Sequence, residues 1–297
     1  MEAESIVERP DGGWGGAVDD LRAGLHVMWS SVAEAWGEHA EYTDARGAPL
    51  TAKMLELAAI QPGERVLEMA CGAGGLGLAA AERVGPGGEV VLSDVAPEMV
   101  SIAAQRSAAL QNVSARVLDL EGIDQPDGSY DVVLCREGLM LVPEPARAAR
   151  EIGRVLRPRG RVAVAVWGPR ERNPWLGLML DAVSVQVGAP LPPPGVPGPF
   201  SLDDSGRVSA LLSDAGLAEV AVAEVSLPMR VGSFDEWWTR TSALAGPLAK
   251  VLASLPEEVV QSVRARAREG AAAYETPTGL EFPGVTLLAT ARAGAAR

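Results

Sequence analysis

The stretch that most constrains the fold of this chain is residues 65–77, RVLEMACGAGGLG. Its first half is apolar and predicts a short buried strand, whereas its glycines predict a turn into a helix over residues 75–83. Free backbone N–H groups gather at the start of such a helix, so the turn can bind a ligand. The glycine spacing matches the G-x-G-x-x-G pattern of dinucleotide-binding sites at Gly72, Gly74 and Gly77.

Two interpretations of this match remain open at this point. Asp94 follows the turn at about the 20-residue distance expected of an acid that binds a ribose, which favours a nucleotide site. The same glycines could instead serve only to let a helix pack closely on a strand.

Beyond the turn, strands and helices alternate regularly. Apolar runs predict further strands at residues 89–93, 115–118, 131–135, 161–166, 217–225 and 285–291. Helical patterns stand between the earlier of them, at residues 96–110 and 145–156. This alternation predicts an α/β fold with a doubly wound, mostly parallel, seven-stranded Rossmann-like sheet, in which ligands bind at the carboxyl ends of the strands.

The segments around this core differ in composition. Residues 1–17 are polar and glycine-rich and are expected to form a flexible arm. Residues 18–60 are predicted to form an N-terminal helical cap, with helices at 19–40 and 49–60. The remaining divisions are a core at 61–168, a lid loop and continuation of the core at 169–232, a helical insertion at 233–278, and the last strand and tail at 279–297.

The segment of residues 188–200, GAPLPPPGVPGPF, is rich in proline. It could bind a partner as a polyproline helix or form a stiff surface loop. The loop is favoured because the segment lies inside a region that is predicted to fold.

The charge balance narrows the class of partner. The chain has 26 basic and 39 acidic residues, which gives a net charge of -13. This balance disfavours nucleic acid, because phosphate binding needs a basic surface, and it suits a small ligand, above all a cationic one. The two cysteines, Cys71 and Cys135, end apolar runs and lie far from the two histidines, so no metal is expected.

The sequence carries no pattern typical of a leader, and no run approaches the ~18 apolar residues of a membrane span. We therefore expect a cytoplasmic protein without a membrane partner. The oligomeric state is left open, a homodimer included.

Five segments of the chain follow a known pattern in order. They are VLEMACGAGG, VVLSDVAPEMV, ARVLDLEGI, SYDVVLCREGLMLVP and EIGRVLRPRGRVAVAVWGP. In this order and spacing they resemble the class I S-adenosylmethionine-dependent methyltransferases, in particular the small-molecule group that includes the ubiquinone and menaquinone biosynthesis enzymes. The resemblance covers residues 61–168, with a weaker match at 214–225. It implies S-adenosyl-L-methionine as cofactor and S-adenosyl-L-homocysteine as product.

The resemblance also implies a role for individual residues. Glu68 matches the acid of the first strand, Asp94 the acid that binds both ribose hydroxyls, and Asp119 the acid near the adenine amino group. The other residues implied to contact the cofactor flank these acids in the same motifs: Ala70, Gly72, Gly74, Val95, Met99, Leu120, Cys135, Arg136 and Met140.

These implied roles agree with the chemistry of the residues. Acids at the ends of neighbouring parallel strands converge on one crevice, where carboxylates can accept hydrogen bonds from hydroxyl and amino groups. Glu68 would repel a pyrophosphate, and no tyrosine of the chain is followed four residues later by a lysine, so a dinucleotide-dependent reductase is disfavoured. Two positions depart from the family pattern. Ala70 replaces the commoner glycine, and residues 136–141, REGLML, lack the histidine pair of quinone-type members, which puts a quinone substrate in doubt.

The acceptor substrate is expected between the strand ends and the cap. An apolar, aromatic wall is predicted there, made of Trp29, Trp36, Met140, Trp167, Trp175 and Trp237. Core packing explains some of these tryptophans equally well. The candidates for a base are His26, His39 and Glu137, each of which could also be structural.

The expected function is transfer of a methyl group from S-adenosylmethionine to the oxygen, carbon or nitrogen of a small, apolar or aromatic metabolite, in secondary metabolism. In-line displacement at the activated methyl mainly requires alignment of the nucleophile and exclusion of water. One alternative is a cyclase that binds the cofactor without transferring its methyl group. A less favoured alternative is an NAD(P)-dependent oxidoreductase.

Overall fold

A computed structural model of the protein describes residues 14–295, with side chains from residue 18 onward. Its strands are β1 Arg65–Met69, β2 Glu89–Asp94, β3 Val113–Val117, β4 Tyr130–Arg136, β5 Leu156–Trp167, β6 Ala218–Ser226, β7 Met229–Val231, β8 Glu275–Thr276, β9 Gly279–Phe282 and β10 Val285–Arg292. Its α-helices are α1 Trp14–Ser31, α2 Ala33–Glu38, α3 Ala40–Leu57, α4 Gly75–Val84, α5 Pro97–Arg106, α6 Pro145–Val155, α7 Pro174–Val187, α8 Ser205–Asp214, α9 Phe234–Leu244, α10 Gly246–Ser254 and α11 Glu257–Ala271.

The main sheet has seven strands in the order β3-β2-β1-β4-β5-β10-β6. The five strands β1 to β5 are parallel, and β10 runs antiparallel to both of its neighbours, β5 and β6. The order reverses on either side of β1, which places a crevice at the carboxyl ends of β1 and its neighbours. The predicted doubly wound, seven-stranded, mostly parallel sheet is confirmed.

The register aligns the ends of the central strands. Leu67 of β1 pairs with Val91 of β2 on one side and with Val133 of β4 on the other. Helices cover both faces of the sheet, so the central strands are almost wholly buried and each contains a short apolar run.

The N-terminal helices form the predicted cap, but their boundaries differ from the prediction. The helix expected at residues 19–40 is two helices, α1 and α2, separated at Val32. The helix expected to begin at Pro49 is α3, which begins at Ala40 and contains Pro49 in its interior. Pro49 lies on the exposed side of α3, where water can hydrogen-bond the carbonyl left without a partner, so the helix continues through it.

The predicted arm is also too long. α1 begins at Trp14, so residues 14–17 are helical, and residues 1–13 of the arm lie outside the described part of the chain. A small cluster of apolar residues joins the cap to α5: Val32, Ala33, Ala96 and Met99, with Trp29 and Trp36 packed against them.

The region after β5 contains a helix that the sequence did not indicate. α7 is largely buried and packs against α11, whereas a lid loop was expected there. Because α7 is apolar on nearly all sides, its sequence lacks the 3.6-residue alternation that marks a surface helix. The proline-rich segment that follows, residues 188–200, contains turns and bends without helix or strand, as expected of a loop.

The helical insertion lies between β6 and β10, as predicted, and consists of α9, α10 and α11. A second sheet of three short strands in the order β7-β9-β8 accompanies it. These strands have two to four residues, too few to show an alternating pattern, and so they were not predicted. No helix within residues 14–295 has the length and apolar character needed to span a membrane.

Candidate functional site

A cleft, here called the strand-end cleft, opens at the carboxyl ends of β1, β2 and β4 beneath the cap. It holds about 1220 Å³ of space between atoms, its mouth included. Nine of the residues expected to contact a cofactor line this cleft: Glu68, Ala70, Gly72, Asp94, Val95, Met99, Asp119, Leu120 and Arg136. The topology therefore brings these residues together although they are far apart in sequence.

The glycine turn is held in a conformation that side chains rarely adopt. Gly72 and Gly74 have φ of 54° and 85°, and Ala70 has φ of 51°. Only glycine adopts this left-handed region without strain, so the methyl group of Ala70 costs on the order of 1 kcal/mol. The N–H of Gly74 donates to the Cys71 carbonyl at 2.8 Å, which closes the turn.

Glu68 lies beneath the turn and connects β1 to α4. Its Oε2 accepts a hydrogen bond from the backbone N–H of Gly77 at 2.8 Å. Burial raises the pKa of Glu68 to about 8, against the opposing effects of the Arg136 charge and the Gly77 N–H. A larger residue at position 77 would force a neighbour to move, because a Cβ there would lie 2.5 Å from Oε2 of Glu68.

Asp94 ends β2 and faces the same cleft. Its Oδ2 accepts the N–H of Gly72 at 2.9 Å, and its Oδ1 accepts the N–H of Ala96 at 3.0 Å. Burial raises the pKa of Asp94, and these backbone N–H groups oppose that effect. Each carboxylate oxygen has more than one lone pair, so Asp94 can still accept hydrogen bonds from a ligand while it orders the turn.

Asp119 and His26 face each other at one end of the cleft. Nε2 of His26, on α1, lies 3.9 Å from Oδ2 of Asp119, which follows β3. Nearby, Arg22 of α1 donates to Glu121 at 2.9 Å and to Glu144 at 2.9 Å. These contacts hold α1 against the loops that follow β3 and β4, so the cap forms one wall of the cleft.

Arg136, at the end of β4, reaches into the cap from the opposite side. Its Nη1 donates to the Thr51 hydroxyl on α3 at 2.8 Å. A Cβ at position 47 would lie 2.7 Å from that same nitrogen, so Gly47 allows the approach.

A second cavity, here called the aromatic cavity, adjoins the strand-end cleft. It holds about 760 Å³ and lies between α3, α7 and α9. Its apolar wall includes four of the predicted tryptophans together with methionines: Trp29, Trp36, Trp167, Trp175, Met140 and Met229. Six residues line both cavities, so the two spaces meet at a common wall: Trp29, Trp36, Thr43, Arg46, Glu137 and Leu141.

Arg46 and Glu137 are the charged residues of this common wall. The Arg46 guanidinium carbon lies 4.5 Å from the ring centroid of Trp175 and 5.1 Å from that of Trp167. Glu137 follows β4 with φ of 60°, a strained conformation for a residue other than glycine. Burial raises the pKa of Glu137, while the charges of Arg46 and Arg136 act against that rise.

Some predicted residues lie away from both cavities. His39 lies between α2 and α3 and lines neither space. Trp237 is fully buried and donates its indole N–H to the Trp175 carbonyl at 2.9 Å, so it supports Trp175 from the core and lines neither cavity. Gly74, which lies near Leu92 and Ala103, lines neither cavity. Cys135 is fully buried and also lines neither.

Met140 occupies only one of its two expected positions. It was expected beside both cofactor and substrate, but it lines the aromatic cavity and not the strand-end cleft. Met140 is buried in the 3₁₀ turn Leu139–Leu141, which follows β4.

The residues that sequence reasoning missed lie mostly on α3. Tyr42, Thr43 and Arg46 line the aromatic cavity, and Gly47 and Leu50 line the strand-end cleft. Their spacing of three and four residues is a helical signal, but the prediction began the helix at Pro49 and left residues 41–48 unassigned. Arg240 and Thr241 of α9 complete the cavity and had no signal of their own in the sequence.

The sequence has relatives of known activity. A family model described as a methyltransferase domain matches residues 60–174. Nocamycin O-methyltransferase from Saccharothrix syringae is 32% identical over 209 residues, covering 66% of this chain and 75% of the relative. The ubiquinone/menaquinone biosynthesis C-methyltransferase UbiE from Ectopseudomonas mendocina is 37% identical over 169 residues, covering 56% of this chain and 57% of the relative. The match therefore spans little more than half the length of the UbiE enzyme.

Solved structures share the fold. The YcgJ protein from Bacillus subtilis has a TM-score of 0.57 at 20% identity, covering 83% of this chain and 98% of that one. The [4+2]-cyclase SpnF has a TM-score of 0.50 at 21% identity, covering 83% of this chain and 80% of that one. At these identities the likeness concerns the fold alone.

Proposed function

This chain belongs to the S-adenosylmethionine-dependent methyltransferases, whose cofactor is S-adenosyl-L-methionine, and we propose that it methylates a small, largely apolar or aromatic metabolite of secondary metabolism. The observation that carries this proposal is the common wall of the two cavities. A cofactor in the strand-end cleft and an acceptor in the aromatic cavity would meet along that wall.

The strand-end cleft suits a nucleoside cofactor without a pyrophosphate. Three of its acids, Glu68, Asp94 and Asp119, offer hydrogen-bond acceptors, which match ribose hydroxyls and an exocyclic amine. Gly72 lets the Trp36 ring of the cap lie close to the turn, since a Cβ there would meet that ring at 3.3 Å. The residues present therefore fit S-adenosylmethionine.

We assign the holding residues by their chemistry and position. Asp94 would accept from the ribose hydroxyls, and Asp119 would lie near the adenine amino group. Val95, Met99 and Leu120 would pack against the adenine ring. Ala70 and Gly72 would lie along the methionine moiety, above the buried carboxyl of Glu68.

When bound, the cofactor supplies a methyl group attached to a positively charged sulfur. The sulfur is the leaving group and keeps the electron pair of the carbon–sulfur bond. The contribution of this chain is alignment and the exclusion of water. α1, α2 and α3 cover the cleft, and the indole N–H of Trp36 donates to the Leu244 carbonyl of α9 at 3.1 Å. The cap and the helical insertion would thus hold the acceptor between them.

An acceptor that must lose a proton needs a base nearby. Glu137 lines both cavities, and burial moves its pKa upward, toward the range in which a carboxylate accepts a proton most effectively at neutral pH. His26 lines only the strand-end cleft beside Asp119, and so it is the less favoured base. His39 lines neither cavity, so we do not propose it as a base.

The test is transfer of an isotopic label. The purified protein is incubated with trideuteromethyl S-adenosylmethionine and a metabolite extract of its host, and the products are analysed by mass spectrometry. We expect a new species that carries the labelled methyl group, formed together with S-adenosylhomocysteine.

Two other outcomes would contradict the proposal in different ways. A new product without the label would indicate a cyclase-type reaction that only binds the cofactor. Thermal stabilisation by NADP and none by S-adenosylhomocysteine would exclude the proposed cofactor site.

A further inference from the structure

Polar atoms without partners are concentrated in one place in this protein. Among the described residues, eleven buried side-chain nitrogen and oxygen atoms have no hydrogen-bond partner. Six of these atoms belong to five residues that line the aromatic cavity: the Tyr42 hydroxyl, Nε and Nη2 of Arg46, Oε1 of Glu137, Nε1 of Trp175 and the Thr241 hydroxyl. Buried polar groups are normally paired, so a cluster of unpaired ones beside an empty space indicates that a ligand pairs them.

The donors in this cluster outnumber the acceptors. Both Arg46 nitrogens and the Trp175 nitrogen can only donate, the two hydroxyls can donate or accept, and Glu137 alone carries negative charge. A ligand that completes the cluster must therefore offer oxygen acceptors.

Arg46 supplies a positive charge that no protein group neutralises directly. Within the described part of the chain, no carboxylate oxygen lies within 4.0 Å of its guanidinium nitrogens. Glu137 and Tyr42 favour its charged form, although burial lowers the pKa of Arg46. A guanidinium keeps its charge in proteins, so Arg46 stands in the cavity as a cation with free N–H groups.

The neighbouring arginine of the cavity is paired in a different way. Arg240 forms an ion pair with Glu236 and lies 4.1 Å from the ring centroid of Tyr42. Its charge is thus compensated on its own helix. Of the two arginines described in the lining of the aromatic cavity, Arg46 is therefore the one whose charge is available to a ligand.

The indoles around Arg46 define the shape of that ligand. Trp167 and Trp175 contact each other edge to face, with centroids 5.1 Å apart, and both lie against the guanidinium. These cation–π contacts hold the guanidinium against the indoles, and its Nε and Nη2, which have no partner among the described residues, can form two parallel hydrogen bonds with an acidic group. A flat ring system with an acidic oxygen at one end would fill the apolar space and reach Arg46.

We propose that the acceptor of this enzyme carries an acidic oxygen group, and that Arg46 binds this group as an anion while Trp167 and Trp175 hold the adjoining ring system. This inference rests on the proposed methyl transfer, because it places an acceptor in the aromatic cavity. Arg46 is then a substrate-binding residue that sets specificity. Glu137 lines the common wall together with Arg46, and its negative charge disfavours an acceptor that carries a second anionic group.

The test compares two probes of the same shape and different charge. 2-Naphthoate and 2-naphthamide are titrated calorimetrically into the protein saturated with S-adenosylhomocysteine. We expect naphthoate to bind at least about tenfold more tightly, since hydrogen bonds to charged groups are the stronger ones. In Arg46→Met this preference is lost, measured at a concentration of S-adenosylhomocysteine that saturates the variant.

Two further variants keep the test decisive. Arg172→Gln removes a surface arginine that pairs with Glu224, and it should retain the full preference for naphthoate. Arg46→Lys keeps the charge and loses the planar guanidinium, so it should bind naphthoate with an intermediate affinity. It serves as the test if Arg46→Met does not fold.

Naphthoate binding that is no tighter than naphthamide binding, or that is undetectable, overturns the inference. The same holds if Arg46→Met or Arg46→Lys binds naphthoate as tightly as the parent protein. In those cases the methyl-transfer proposal stands as long as S-adenosylhomocysteine binds. Failure of S-adenosylhomocysteine to bind the parent protein removes both.

Discussion

Trp36 of the cap donates its indole N–H to the backbone carbonyl of Leu244 in the helical insertion, at 3.1 Å, across 208 residues of sequence. The same indole lies over Gly72 and lines both cavities. A single side chain thus connects the glycine turn, the cap and the insertion.

We expect Trp36→Phe to lower the free energy of unfolding by about 1 to 2 kcal/mol, because it removes one hydrogen bond and part of a packed ring. Urea denaturation measures the change. Trp238→Phe is the matched control, since the Trp238 ring stacks on Phe234 and its N–H has no hydrogen-bond partner among the described residues. Equal destabilisation of the two variants would show that the bond to Leu244 contributes nothing.

Replacement of Asp94 by Ala should weaken binding of S-adenosylhomocysteine by about tenfold or more, because hydrogen bonds that involve a charged group are worth ~1.5–3 kcal/mol. It would also leave the N–H groups of Gly72 and Ala96 without their acceptor. Isothermal titration calorimetry measures the affinity. Asp127→Ala, at an exposed carboxylate paired with Arg154, should bind like the parent protein. An unchanged affinity in Asp94→Ala would contradict its assignment to the ribose.

Gly77→Ala should destabilise the fold by about 1 to 3 kcal/mol, the usual cost of overpacking a core position. The added methyl group would lie 2.5 Å from Oε2 of Glu68 and 2.1 Å from Cδ2 of Leu92. Gly87→Ala provides the comparison, since a Cβ at Gly87 meets nothing within 4 Å. If both variants melt at the temperature of the parent protein, the close packing of α4 on β1 and β2 does not restrict the size of the side chain at position 77.

The stability of the protein without cofactor should depend on pH through Glu68. Its pKa is about 8 in the folded protein and lies near 4.5 in the unfolded chain, so the folded state binds the proton more tightly. Its contribution to stability is therefore fully present below pH 4.5 and is lost as the pH rises through 8. Glu68→Gln cannot ionise and keeps an oxygen acceptor for the Gly77 N–H.

The difference in unfolding free energy between Glu68→Gln and the parent protein should accordingly shift in favour of the variant from pH 5 to pH 8.5. Urea titrations at the two pH values measure this shift and cancel the titration of other groups. A difference that does not change with pH would mean that Glu68 ionises in the folded protein as it does in water.

The sheet could be predicted from sequence because each central strand is buried on both faces. The strands β1, β2 and β4 each contain a buried apolar run of two to four residues, which indicates a strand. The family resemblance implied the roles of Glu68, Asp94 and Asp119, and these roles agree with the convergence of parallel strand ends on one crevice.

The acceptor side could not be predicted in the same way. Arg46 looks like a surface residue in the sequence, but α3 begins at Ala40, well before Pro49, and places Arg46 against Trp167 and Trp175. Those indoles come from β5 and from α7, a helix whose all-round apolar sequence hides its period. The cavity is a product of tertiary packing between elements whose individual sequences do not specify it.

The position of β10 between β5 and β6 has a consequence for folding during synthesis. β10 is the last of the described strands along the chain, yet it hydrogen-bonds on both sides within the sheet, and the Asn173 side chain bonds the Val285 backbone at its start. Until residues 285–292 leave the ribosome, β5 lacks its neighbour on one side and β6 has no partner in the sheet. The nascent protein must therefore keep the unpaired edges of β5 and β6 from pairing with other strands until β10 is made. Any chain cut short before residue 285 would leave these edges open to aggregation.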